Sequence, residues 1–408
     1  FLCLSIAAAM SRIAAALFLS LGPRSVLGSA ACSDHPGCQH LTGDCCPSGG
    51  TFLDCCGNNT SARRLGGPYV NNYDGDNPLG ISVMGQRSQN YFILIGDWGR
   101  ATSPGQCQRA VADHLKAYVA RQQQQGKKLL FVASVGDNFY WSGVTPGAWQ
   151  AAWADVYGPN DPSSPLYQVP WLAVLGNHDL GNDDPFAACA DQMQAPLAVV
   201  NGQRYGSLQF NADKNPSRPG NTRNYWMPDY NYHYEIPEAD LEVIAIDTNQ
   251  VDIEGFGGDS GGSWRLGNAC GNQGNVRNFM TRVNQAGLDL LRQRAAQGTA
   301  KTVLIMQHYP GQCHKDVFMS ALAPGRQVNV ICAYGHDHTQ RCDASDSSGQ
   351  CNMILTGGGG GCCPGVITRA GFAAVGLTDQ GGFTSDVESG DVVVPDGTCY
   401  WRRLLLSD

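Results

Sequence analysis

The sequence predicts an α/β domain, and three observations carry that prediction. From Tyr91 onward, apolar runs of strand length alternate with blocks whose apolar residues recur at helical spacing. Five short motifs rich in Asp, His and Gly each follow directly on one of those runs. The turns that leave the carboxyl ends of strands are where α/β sheets gather their ligands, so motifs placed there predict one shared site.

The elements follow in chain order. Met10-Ser11-Arg12, the apolar stretch Ile13 to Leu21 and the small residues Gly28-Ser29-Ala30-Ala31 read as a secretory signal over residues 1–30. On that reading Met10 is the start and Phe1 to Ala9 is upstream readthrough. The alternative is an uncleaved anchor from Phe1 to Leu21, but Arg12 breaks it and the remaining stretch is short for a bilayer. Residues 32–57 hold Cys32, Cys38, Cys45, Cys46, Cys55 and Cys56, a span too small to build a core without crosslinks. It reads either as a small interaction module or as a stapled leader. Residues 58–88, rich in Gly, Asn, Pro and Asp, read as a linker, with overlapping glycosylation sequons at Asn58 and Asn59. Residues 89–408 then form the α/β domain.

Within it, Tyr91 to Ile95, Leu129 to Val135, Trp171 to Leu175, Thr302 to Met306 and Val328 to Ala333 are expected strands, each leading into a motif. Leu241 to Ile246 is a further strand ending at Asp247. Gln106 to Gln125 is expected to be helical, with Ala110, Val111, Leu115, Tyr118 and Val119 on one face. Leu288 to Arg294 is the centre of another helix. Cys342 and Cys351 flank a polar hairpin tip and are expected to pair, a reduced surface pair being the alternative.

Composition narrows the class. Over 408 residues, hydrophobic side chains make up 42%, charged ones 15%, and there are 51 glycines, which reads as a loop-rich globular chain. The net charge of −8 comes without a basic stripe, so no nucleic-acid partner is expected. Seventeen cysteines without a C-x-x-C pair favour disulfides and an oxidising compartment, either extracellular or vacuolar-lysosomal. No stable membrane span is expected beyond the leader.

The five motifs are Gly96-Asp97-Trp98-Gly99, Gly136-Asp137-Asn138-Phe139-Tyr140, Gly176-Asn177-His178-Asp179, His308-Tyr309-Pro310 and Gly335-His336-Asp337-His338. Their order and wording resemble the calcineurin-like metallophosphoesterases, and more narrowly the purple acid phosphatases, including the tartrate-resistant type, over about residues 90–380. The resemblance implies a four-layer sandwich: two mixed β-sheets packed face to face, flanked by helices, here preceded by a small disulfide-rich segment. It also implies two metal ions. One is taken by Asp97, Tyr140 and His338, the other by Asn177, His308 and His336, and Asp137 bridges them. Most metallophosphoesterases read Asp-x-His in the first motif; here Gly99 stands in place of that His. Tyr140, three residues after Asp137, is placed to fill the gap as a phenolate, the mark of the purple branch.

Ligand charge then distinguishes the two ions. The first would contact three anionic groups and the second only the shared Asp137, which favours Fe(III) beside a divalent Fe, Zn or Mn. Such a pair supplies a metal-bound hydroxide and positive charge against phosphate oxygens. Fe(III) acidifies water more strongly than zinc, so acid-side hydrolysis is expected.

His178 is expected to assist the leaving alcohol, and Asp179 to hold the His178 imidazole in one tautomer. His314 lies in the loop where relatives carry another substrate-side His, at a different spacing; an exposed loop His is the alternative. His114 reads as a packed or half-exposed residue beside the apolar face of its helix, and His233, in Tyr232-His233-Tyr234, as a strand residue. The expected activity is hydrolysis of phosphate monoesters, on small esters or phosphorylated proteins. The rivals are a phosphodiesterase or pyrophosphatase of the same superfamily, and a non-catalytic Cys-rich extracellular binding protein. The oligomeric state is not legible in the sequence.

Overall fold

The computed structural model describes residues 69–72, 77–100, 107–140, 143–145, 147–180, 199–200, 203–204, 207–216, 218–252, 273–311, 313–361, 369–393 and 400–403. All belong to the compact unit Arg64–Asp408. The expected signal sequence, the Cys-rich segment, both sequons and part of the linker lie outside the described residues.

Sixteen strands are described, fourteen of them in two seven-stranded mixed sheets. The first sheet runs, in spatial order, through β1 (Val70–Asn72), β8 (Asn231–Ile236), β9 (Leu241–Ala245), β10 (Thr302–Met306), β11 (Asn329–Tyr334), β13 (Cys351–Thr356) and β12 (Gln340–Ser345). The second runs through β16 (Tyr400–Arg403), β15 (Phe383–Val393), β14 (Ala370–Leu377), β2 (Asn90–Ile95), β3 (Lys128–Ser134), β4 (Trp171–Ala173) and β7 (Tyr225–Trp226). A two-residue pair, β5 (Val199–Val200) with β6 (Gln203–Arg204), stands apart. The helices are α1 (Gln108–Gln124), the short α2 (Asp155–Tyr157) that continues a π-helical turn over Trp149–Ala154, α3 (Gln273–Gln297) and α4 (Lys315–Ser320).

The layering follows from alternation along buried strands. All six residues of β2 are buried, as in a strand covered on both faces. Phe92 and Leu94 pack into one core with Phe131, Ala133, Val243, Ala245, Leu304, Met306, Ile331 and Ala333, which joins the two sheets. Tyr91, Ile93 and Ile95 point the other way, into a core with Val111, Leu115 and Val119 of α1. A third core places Ile244, Val303, Ile305 and Cys332 under Leu290, Leu291 and Ala295 of α3 and Phe318 of α4. The result is the helix–sheet–sheet–helix sandwich that the resemblance implies.

Local chemistry sets the boundaries. The apolar stripe of α1 is the one its spacing predicts, and the helix stops in a Schellman turn. Lys127 N–H donates to the Gln122 carbonyl and Gly126 N–H to that of Gln123, with Gly126 at φ +73°. A glycine occupies that left-handed position without steric cost. The helix expected around Leu288–Arg294 extends over 25 residues, with that segment in its C-terminal half. Cys342 and Cys351 are bridged across the β12–β13 hairpin, Cα atoms 5.8 Å apart, and a second bridge joins Cys313 to Cys332.

Two registers matter for the site. Ile95, Ser134 and Ala173 lie level across parallel β2, β3 and β4, and Met306 lies level with Ala333 across β10 and β11. The residues leaving these strands therefore emerge together along one edge of the sandwich.

Candidate metal centre

Each motif begins at one of those strand ends. Asp97, Asp137 and Asn177 follow β2, β3 and β4 of the second sheet, and His308, His336 and His338 follow β10 and β11 of the first. Oxygen donors thus come from one sheet and imidazoles from the other. Asp97, Asp137, His336 and His338 have φ of 57°, 50°, 74° and 44°. A left-handed conformation costs a non-glycine residue about 1 kcal/mol or more, and such strain collects at functional sites. Hydrogen bonds hold it in place: Asp97 N–H to the Gly136 carbonyl at 3.0 Å, Gly361 N–H to the Asp97 carbonyl at 2.8 Å.

The Tyr140 hydroxyl lies 3.1 Å from Asp97 Oδ1, 2.9 Å from Asp137 Oδ2 and 3.2 Å from His338 Nε2. One hydroxyl proton cannot serve three such neighbours. His338 Nε2 is also 3.5 Å from Asp97 Oδ1. Beside this group, Asn177 Oδ1 lies 2.9 Å from His308 Nε2 and 3.2 Å from His336 Nδ1, and His308 Nε2 is 3.3 Å from Asp137 Oδ1. Asp137 thereby faces both groups, one oxygen to each. Adjacent donors around an octahedral ion with bonds of roughly 2.1 Å stand about 3 Å apart, so both clusters have the spacing of coordination spheres. Asp97, Asp137 and His308, all buried, bring one donor atom each within 4.8 Å of one another.

The electrostatics fit cations equally well. Burial, then the neighbouring Asp137, pushes the Asp97 carboxyl well above its usual range. Burial would also raise Asp137, but the charges of His308 and His178 and the His178 N–H outweigh it and bring that carboxyl to about 2. Burial and both carboxylates drive the Tyr140 phenol up, and burial lowers His308 to about 4. A buried phenol between two carboxylates ionises only beside a cation, and a buried neutral imidazole is the form that ligates one. His308 Nδ1 lies 2.9 Å from the Val135 carbonyl, which directs Nε2 toward Asn177 and Asp137.

The close approach at Gly99 explains why an imidazole is absent there. A Cβ on Gly99 would stand 1.5 Å from the Asn138 carbonyl oxygen. The first and second motif loops interlock at that point, and Tyr140 N–H donates to the Gly99 carbonyl.

Asp179 joins the loops that carry the donors. Its carboxylate accepts from the backbone N–H of Asn138, Phe139 and Gly176 at 2.8–3.0 Å, and from the side-chain amides of Asn138 and Gln209 at 3.1 and 2.8 Å. Both oxygens accept from the loops that carry Asp137 and Asn177. His178 donates its backbone N–H to Asp137 Oδ1 at 2.9 Å, and its ring centroid lies 4.6 Å from that of Tyr140. His314 opens α4 at φ 47°, next to the Cys313–Cys332 bridge. Among the described residues no contact links it to the donor clusters.

Sequence reasoning missed Asn138, Ser134, Trp98 and Gln209. Trp98 Nε1 donates to Ser134 Oγ at 2.7 Å, Ser134 donates to Asn138 Oδ1, and Asn138 Nδ2 donates to the Val174 carbonyl at 2.7 Å. Trp98 and Asn138 lie inside motifs, a signal that could have been read; Gln209 carries no local signal.

Fold and donor set together define a phosphoesterase: the chain belongs to the calcineurin-like phosphoesterase family, whose match spans residues 91–340. Among curated relatives, the human protein named tartrate-resistant acid phosphatase type 5 is 26% identical over 288 residues, 66% of this chain and 72% of that one. The Arabidopsis thaliana protein named purple acid phosphatase 3 is 38% identical over 97 residues, 22% of this chain and 23% of its own. A solved structure titled "GAP50 the anchor in the inner membrane complex of Plasmodium" aligns with TM-score 0.43 and 18% identity over 78% of this chain and 89% of that chain. Among the described residues no helix is long and apolar enough to cross a membrane.

Proposed function

We propose that this chain is an acid phosphatase that hydrolyses phosphate monoesters at a dinuclear Fe(III)–M(II) centre, M being Fe, Zn or Mn. Asp97, Tyr140 and His338 would hold the ferric ion, Asn177, His308 and His336 the divalent one, and Asp137 would be shared between them. The observation that carries the reading is the Tyr140 hydroxyl, buried between the Asp97 and Asp137 carboxylates and beside His338. When bound, the ions acidify water and offset the charge of phosphate oxygens. The protein's own part is positional. The buried His308 keeps Nε2 unprotonated by donating Nδ1–H to Val135, and Asp137 is fixed by the His178 N–H. His178, half-buried against the Tyr140 ring, would protonate a departing alkoxide.

The substrates on this reading are small phosphate esters or phosphorylated proteins, and the leader and sequons support passage through the secretory pathway.

Iron-loaded protein tests the proposal. It should show a visible phenolate-to-iron band that Tyr140→Phe abolishes, and should cleave a nitrophenyl phosphate monoester faster than the diester at acid pH. A colourless iron-loaded protein sinks the assignment of Tyr140; preference for the diester sinks the monoesterase reading and leaves the metal centre standing.

A further inference from the structure

Among the described residues, four of the five groups that donate to the Asp179 carboxylate belong to the ligand loops themselves: the N–H groups of Asn138, Phe139 and Gly176 and the Asn138 amide. The fifth, Gln209 Nε2 at 2.8 Å, comes from outside them. Gln209 is 1% exposed and uses both ends of its amide, because its Oε1 accepts from Tyr225 Oη at 2.7 Å. Tyr225 lies on β7, the edge strand of the second sheet.

The loop that delivers Gln209 is itself built around one cation. Arg218 donates to the carbonyls of Gln209 and Thr222 and to Asn211 Oδ1 at 3.1, 2.7 and 3.0 Å. Its guanidinium lies 5.1 Å from the ring centre of Trp149 and 5.4 Å from that of Tyr225. Asn211 N–H closes the loop on the Met227 carbonyl at 3.0 Å.

We infer that Gln209 is a positioning residue: through Asp179 it ties the loops carrying Asp137 and Asn177 to the frame of the second sheet, and so sets the separation of those two donors. The inference rests on the metal-centre reading above. Without the Gln209 amide the Asp179 carboxylate still joins the two loops, and Asn138 still bonds to Ser134 and Val174 at the ends of β3 and β4, but the joined pair loses its tie through Tyr225 to edge strand β7. The residue most exposed to that loss is Asn177, since Asp137 also receives the His178 N–H and the Tyr140 hydroxyl.

The test is a Zn²⁺ titration of the metal-stripped full chain against a competing chromophoric chelator. Gln209→Met keeps the volume and removes both amide ends, and should weaken Zn²⁺ binding about 10–100-fold, the usual effect of removing a partner that orients a ligand. Tyr225→Phe leaves Gln209 in place but frees its Oε1, and should weaken binding in the same direction by less. Phe131→Leu, in the core between the sheets, lowers Tm without touching the network and should leave Zn²⁺ affinity unchanged. Wild-type protein that binds no Zn²⁺ overturns the metal-centre reading and this inference with it. Wild-type binding matched by both Gln209→Met and Tyr225→Phe overturns the inference alone. Should Gln209→Met fail to fold, Tyr225→Phe decides.

Discussion

At the scale of single residues, the exchange between positions 99 and 140 organises the site. Gly99 cannot carry a side chain, because the carbonyl of Asn138 occupies the space where its Cβ would lie. The same contact fixes the turn that brings the Tyr140 hydroxyl to Asp97. Gly99→Ala should therefore displace the second loop, lower Tm and weaken the phenolate-to-iron band in iron-loaded protein. An alanine variant with unchanged Tm and spectrum would show that the loops move apart freely. The approach of Tyr140 to Asp97 and Asp137 was legible in the sequence because Gly99 and Tyr140 both lie within a few positions of a motif Asp. The hydrogen bonds of Asp179 to Asn138, Phe139, Gly176 and Gln209 were not legible, since its position beside His178 in the chain does not show which groups its carboxylate meets in space.

At the scale of elements, strands that are apolar runs were easy to read, Leu241 to Ile246 included, and a strand with polar residues at alternate positions was not. Tyr91 to Ile95 and Thr302 to Met306 are unbroken apolar runs, the pattern of parallel strands covered on both faces. Strand β8 alternates polar and aromatic residues, and only His233 within it was assigned as strand. In the structure Tyr232 and Tyr234 enter the core between the sheets, while His233 and Glu235 turn toward Arg294 of α3. His233 is fully buried, and neither ring nitrogen has a hydrogen-bond partner among the described residues. Burial, with a smaller contribution from Arg294, lowers it to about 3.

The sign of its effect on stability follows. Above pH 6.5 the imidazole is neutral in both folded and unfolded chains. Between 6.5 and about 3 the unfolded chain takes up a proton that the folded one refuses, so stability falls as pH falls. His233→Gln should make that decline shallower by up to ~1.4 kcal/mol per pH unit, read from urea unfolding at several pH values. Identical slopes in the two proteins would remove His233 from the acid response.

At the scale of the whole molecule, the layer order was legible only through the resemblance. Alternating strands and helices predict an α/β domain, but no local pattern states that two sheets face each other. That arrangement arises from long-range contacts such as Phe92 and Phe131 meeting Val243 and Leu304. Gln209 and Arg218 escaped notice for the same reason, since their partners lie far along the chain or depend on the loop's closure. The sandwich also links metal and fold, because every ion held as proposed would bind donors from both sheets. Chelation should thus lower Tm, and restoring Fe and Zn should raise it again by an amount that grows with metal concentration. A Tm indifferent to metal would place the ions elsewhere.

The division of donors between the sheets has a further consequence for biosynthesis. Asp97, Asp137, Tyr140 and Asn177 leave the ribosome well before His308, His336 and His338. On the proposed assignment a nascent chain presents its carboxylates without the imidazoles that would complete either sphere, and metal loading would wait until translation has passed His338.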